Sequence, residues 1–76
     1  MTTSKHEALD EAIRADLALG ILFQMGNPTR EEAVLYTREK GIEMHLVPFL
    51  ERMGLLDDDW WEYIRRMNVP VPGRLH

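Results

Sequence analysis

No cysteine occurs in this 76-residue chain, and that absence removes disulfide staples, thiolate zinc sites and cysteine nucleophiles. Long apolar runs are missing too. The longest, Leu17 to Phe23, is far short of the roughly 20 residues a membrane span requires. Lys5, Glu7, Asp10, Glu11, Arg14 and Asp16 break up the region where the apolar core of an export signal would lie. Basic charge is scarce: 9 Lys and Arg face 13 Asp and Glu, a formal net charge of −4. The concentrated positive charge with which nucleic-acid binders neutralise phosphates is therefore lacking. What is present, a 45% hydrophobic fraction without repeats or low-complexity segments, is ordinary for a folded globule. The expectation is a soluble, cytoplasmic protein with no membrane partner. A domain this small buries only about 60% of its unfolded-chain surface, so its core is marginal and oligomerisation is an expected supplement.

Helix punctuation is legible along the whole chain. Ser4-Lys5-His6-Glu7 has the spacing of a capping box, which predicts a first helix from about Lys5 to Met25. Gly26-Asn27-Pro28 ends it, with Gly26 suited to a left-handed C-cap and Pro28 unable to continue the ladder. Asn27 or Thr29 caps the second helix, and Thr29-Arg30-Glu31-Glu32 offers another capping box. This helix closes at Lys40-Gly41. Pro48 disfavours helical geometry at Val47, so a short third helix is expected to begin at Pro48; the alternative begins near Glu43 and tolerates the proline in its early turns. Gly54 ends it in either case. Asp57-Asp58-Asp59 supplies a cap and negative charge to a fourth helix, about Asp58 to Met67, whose other end carries Arg65-Arg66. No segment alternates apolar and polar residues long enough for a strand. The predicted fold is all-α: one helical domain over 1–68, a small four-helix bundle, followed by an extended proline-containing tail at 69–76.

The first helix carries the most informative pattern. Ala8, Ala12, Ala15 and Leu19 are spaced four, three and four apart, so they form a narrow stripe of mostly methyl side chains. Leu9 and Ile13 wall it on one side, making a trough that another helix can approach closely. From Leu17 to Phe23 the helix is apolar around its whole circumference and must be enclosed. Either it runs through the middle of the bundle or a second copy covers it; the alanine stripe favours a homodimer with Ala8, Ala12, Ala15, Leu19, Leu9 and Ile13 at its interface. Asp16 lies in the same apolar arc, and Ala12, Ile13, Leu19 and Gly20 are its neighbours on the helix. An unpartnered buried carboxylate is costly. Arg52, Arg65, Arg66, His45 and a Trp indole N–H are its candidate partners, and an intramolecular ion pair or a position at the rim of the arc is favoured over a contact with another protein.

On the second helix Ala33, Tyr36 and Thr37 share a face with Val34 at its edge, leaving Leu35 opposite them among Glu31, Arg38 and Glu39. On the fourth, Trp60, Tyr63, Ile64 and Met67 fall on one stripe, which marks Trp60 as core. Trp61 points about 100° away, toward Arg65. Trp61, Arg65 and Leu35 are the candidate contacts for another protein.

Catalytic chemistry is sparse. His6, His45 and His76 have no second His or Cys at metal-ligand spacing, and Asp57-Asp58-Asp59 lacks the glycine and distal glutamate of a calcium loop. There is no Gly-x-Ser-x-Gly elbow and no phosphate-binding glycine loop. A chain this short is also expected to have little room for a pocket of several hundred Å³. No catalytic residue, metal or cofactor is assigned, and no enzyme activity is expected of the single chain. The reading is a non-catalytic protein–protein interaction module, an accessory, adaptor or inhibitor of a larger protein partner, acting as a helical homodimer. A dimeric helix-turn-helix DNA-binding regulator is the runner-up. It is disfavoured because its would-be recognition segment, 43–53, carries Arg52 as its only full positive charge. A small subunit of a larger enzyme or virion assembly is the third.

Overall fold

Each helix begins and ends on chemistry visible in its flanking residues. The computed structural model describes residues 4–72, and side chains from residue 9 onward. It contains α1 (Ser4–Met25), α2 (Arg30–Lys40), a 3₁₀ turn at Glu43–His45, α3 (Leu46–Arg52) and α4 (Asp58–Arg66). No strand is present among the described residues. The Ser4–Glu7 capping box, His6, the Ala8 side chain and the end of the tail, 73–76, lie outside what is described.

Thr29 caps α2 in the reciprocal manner its spacing predicts: its hydroxyl accepts from the Glu32 N–H at 3.0 Å while its own N–H donates to Glu32 Oε1 at 2.9 Å. Asp57 caps α4 by accepting from the Trp60 N–H at 2.8 Å. Two expectations need correction. Gly26 does not adopt the left-handed cap, since the positive-φ glycines among the described residues are Gly41 and Gly54. Pro28 ends α1 instead, by pushing Asn27 out of the helical region. Nor does α3 begin at Pro48. It begins at Leu46, placing the proline in the first turn, where backbone N–H groups have no intrahelical acceptor and a missing one costs nothing. The 3₁₀ turn leads into it through the Leu46 N–H, which donates to the Glu43 carbonyl.

Three helices end in the same way. Gly41, Gly54 and Asn68 take left-handed φ values of 71°, 72° and 57°. The residues after them, Ile42, Leu55 and Val69, donate back to the carbonyls of Thr37, Leu50 and Ile64 at 2.9, 2.9 and 3.0 Å. With the bonds that span three residues, from the N–H groups of Gly41, Gly54 and Asn68 to the carbonyls of Arg38, Glu51 and Arg65 at 3.3, 3.1 and 3.3 Å, these are Schellman motifs, and each reverses the chain while satisfying end carbonyls. Asparagine serves in the third because it tolerates this conformation better than other side-chain-bearing residues.

The short segments fold onto one apolar cluster of Leu19, Ala33, Val34, Leu46, Val47, Phe49, Leu50, Trp60, Ile64 and Val69. Phe23 joins it through Phe49, ring centroids 5.3 Å apart, and Tyr63 stands edge-on to Trp60. Thr37 is the buried polar residue, and its hydroxyl is satisfied by donating to the Val34 carbonyl at 2.8 Å. Val69, which the sequence assigns to the tail, is buried in this core. Arg38 ties the ends of the elements together, with Nε 2.5 Å from Glu43 Oε2 and Nη2 donating to the Met67 carbonyl at 2.6 Å. The radius of gyration, 12.7 Å, exceeds the roughly 11 Å of a compact chain of this length. The excess reflects α1, whose 22 residues make a rod about 33 Å long.

The left-handed turn at Gly41 gives a direct test. Gly41→Ala places a Cβ on a backbone that L residues adopt at a cost of about 1–2 kcal/mol, so the melting temperature should fall by roughly 4–8 °C for each kcal/mol lost. An unchanged calorimetric transition would remove the Schellman assignment there.

Candidate interaction surface

An α-helix turns about 100° per residue, so the apolar side chains of α1 fall on two opposite sides, and the structure separates them. One side faces inward. Ala15 and Leu19 are 1% and 0% exposed, and Ala12 is half-buried. This side faces α3 and the 3₁₀ turn, a packing that small side chains such as alanine let come close. The expected dimer face is thereby divided. Ala15 and Leu19 are covered by the chain itself and are not open to a second copy, whereas Leu9 and Ile13 remain exposed. Small residues at the trough serve internal close approach.

Asp16 sits at the edge of the covered side and pairs with Arg52 of α3, one of the partners its position requires. The two side chains remain 45% and 54% exposed, so the pair aligns α1 on α3 more than it stabilises the fold. His45 Nε2 lies 3.7 Å from Glu11 Oε2 on the same flank.

The opposite side of α1 has no partner among the described residues. Leu9, Ile13, Leu17, Ile21 and Met25 are 58%, 55%, 63%, 56% and 81% exposed. They stand four apart, so they form one continuous ridge winding along the helix. Leu17, at its centre, lies roughly 180° around the helix from the mean of Ala15 and Leu19. The half of α1 that is apolar all round is therefore enclosed on one side only, because α2, α3 and α4 together offer 11, 7 and 9 residues and gather on the inner side. The first-helix pattern contains Leu17, Ile21 and Met25, but the alanine stripe draws attention to the face that turns inward.

The other expected contact residues are scattered. Leu35 is 51% exposed on α2, Trp61 is 37% exposed on α4, and Arg65 is exposed one turn beyond it. Trp60 is buried, as its stripe predicts. No cation–π contact joins Trp61 to Arg65 among the described residues; the contact of that type is Lys40 Nζ, 5.7 Å from the Tyr36 ring centroid.

Contrary to the expectation of little room, two open clefts are present. One, of about 720 Å³, lies beside Phe23, Pro28, Arg30, Trp60, Tyr63 and Arg66. The other, of about 530 Å³, lies over Ala15 and Ala18 beside Tyr36 and Lys40. Neither is lined by His, Cys or Ser among the described residues, and the Thr29 hydroxyl at the first is engaged as a helix cap. No group of three or more His, Cys, Asp or Glu is placed to hold a metal ion among the described residues. No described helix is long and apolar enough to cross a membrane.

The two sides of α1 should respond oppositely to substitution. Ala15→Leu forces extra volume between α1 and α3 and should destabilise by about 1–3 kcal/mol, whereas Ile13→Ser on the ridge should stay within about 0.5 kcal/mol; equal urea midpoints for the two would refute the assignment of faces. Asp16→Ala should cost no more than about 1 kcal/mol, a loss that vanishes in 1 M salt if it comes from the exposed ion pair with Arg52. No protein-family model matches this chain, and no curated protein or solved structure matches it at significance.

Proposed function

We propose that this chain is a small helical-bundle interaction module, non-catalytic in itself, that works by presenting the outer ridge of α1 to another protein surface. One observation carries the reading: five aliphatic or thioether side chains, each more than half exposed, run in a single row on the side of α1 away from the core. Isolated apolar residues at a surface are ordinary. A contiguous row is not, because it forms the kind of patch that marks contact sites. In such a role the protein is an accessory, adaptor or inhibitor of a larger partner. Its net charge of −4 favours encounter with basic surfaces. Trp61 and Arg65 form a separate exposed pair of the residue types that dominate interface energetics.

The helix-turn-helix alternative loses ground on burial. The segment that would enter a DNA groove is split into the 3₁₀ turn and a seven-residue α3, and Leu46, Val47, Phe49 and Leu50 are buried in the core. An element held so deeply presents few side chains to base edges.

Leu17→Ser combined with Ile21→Ser tests the module reading, since both side chains are exposed and the pair of changes should leave the far-UV circular dichroism spectrum and the melting temperature nearly unchanged. Immobilised wild-type chain is expected to retain from host extract at least one protein that the double variant releases. Identical retained sets, identified by mass spectrometry, would sink the assignment of the ridge as the working surface.

A further inference from the structure

We infer that the ridge of α1 is closed by a second copy of the same chain, with the two α1 helices antiparallel and a two-fold axis passing beside Leu17. This inference rests on the ridge being a contact surface and names its occupant. The ridge is symmetric about its centre. With Leu17 on the axis, Ile13 of one copy lies opposite Ile21 of the other, so the three central side chains of the row find apolar counterparts, while Leu9 and Met25, about 80° around the helix from Leu17 on either side, border the contact.

Charge selects the antiparallel arrangement over the parallel one. Asp10 and Arg14 flank the N-terminal half of the ridge, while Gln24 is the polar residue at its C-terminal half and α1 has no basic residue in its last turn. Side-by-side parallel helices bring Asp10 against Asp10 and Arg14 against Arg14, with like helix-dipole ends adjacent. Antiparallel helices set Asp10 opposite the Gln24 amide and Arg14 opposite Gly20, and place each positive dipole end beside a negative one. Gly20 leaves space for this, because a Cβ built there meets nothing within 4 Å. Asp16 takes no part in the interface; it is on the inner flank, engaged by Arg52, so the two copies of this carboxylate stay apart.

The area available sets the strength. Covering Ile13, Leu17 and Ile21, with Leu9 and Met25 at the border, makes a small interface of the kind that belongs to weak, transient association.

Sedimentation equilibrium of the full chain between about 1 and 500 μM should show the mass rising from 8.9 kDa toward twice that value. Leu17→Glu, which brings two carboxylates to the axis, should hold the mass at that of one chain, with the circular dichroism spectrum retained. Because the chain has no cysteine, orientation can be read by oxidation without background. Leu17→Cys alone should form a disulfide dimer, and Ile13→Cys mixed with Ile21→Cys should form the mixed dimer. Ile13→Cys alone should not, since residues 13 and 21 are separated by about 12 Å along the helix, beyond disulfide reach. A single-chain mass at every concentration overturns the inference, as does a dimer that survives Leu17→Glu. Efficient self-crosslinking of Ile13→Cys overturns the antiparallel register. Should the chain stay monomeric while a different protein is still retained through Leu17 and Ile21, the second copy is excluded and the module reading stands; loss of both removes both.

Discussion

A helix that is apolar on two opposite sides needs two partners, and this chain is long enough to supply one. α1 takes 22 of 76 residues, and the rest of the chain forms three short helices whose apolar side chains gather in a single cluster. Placing that cluster around Leu19, Leu46 and Leu50 buries the inner side of α1 and uses up the remaining helices. The outer side is then uncovered by arithmetic of surface: small domains bury a low fraction of their area, and a protruding rod lowers it further. The alanines belong to this constraint. At Ala12 and Ala15 the methyl side chains let α1 settle close to α3 and the 3₁₀ turn, which compensates in contact quality for what the short helices lack in length.

The remainder of the fold is organised to make short helices suffice. Three successive Schellman turns, at Gly41, Gly54 and Asn68, reverse the chain within a few residues, so little of its length goes into loops. Two of them deliver an apolar residue, Ile42 and Val69, onto the core as the chain leaves the helix. Polar ties then orient the elements. Arg38 links the end of α2 to Glu43 and to the Met67 carbonyl just after α4, and Arg52 links α3 to Asp16. The two salt bridges are open to solvent and contribute little energy each; Arg52–Asp16 sets how α1 lies on α3, and Arg38 holds the end of α2, the 3₁₀ turn and the residue after α4 together.

That division of labour gives the functional reading its form. The buried face of α1 is structural, and the exposed face is free to be selected for association. Trp61 and Arg65, on α4, belong to a different patch from the ridge.

Local rules account for the features legible in the amino-acid order alone. Helix number, the capping box at Thr29–Glu32, the acidic cap of α4, the Gly41 and Gly54 stops, the burial of Trp60 and the need of Asp16 for a partner from elsewhere in the chain all follow from spacing, side-chain hydrogen bonding and the cost of an isolated carboxylate. Those forces act within a few residues or within one element. Tertiary structure alone decided three further things: that Pro48 sits inside the first turn of α3, that Val69 belongs to the core, and that α1 turns Ala12 and Ala15 inward. The last decided the candidate surface. Helical periodicity identifies two apolar sides of α1 equally well, and only the size and shape of what the rest of the chain can place against it determine which one water still reaches.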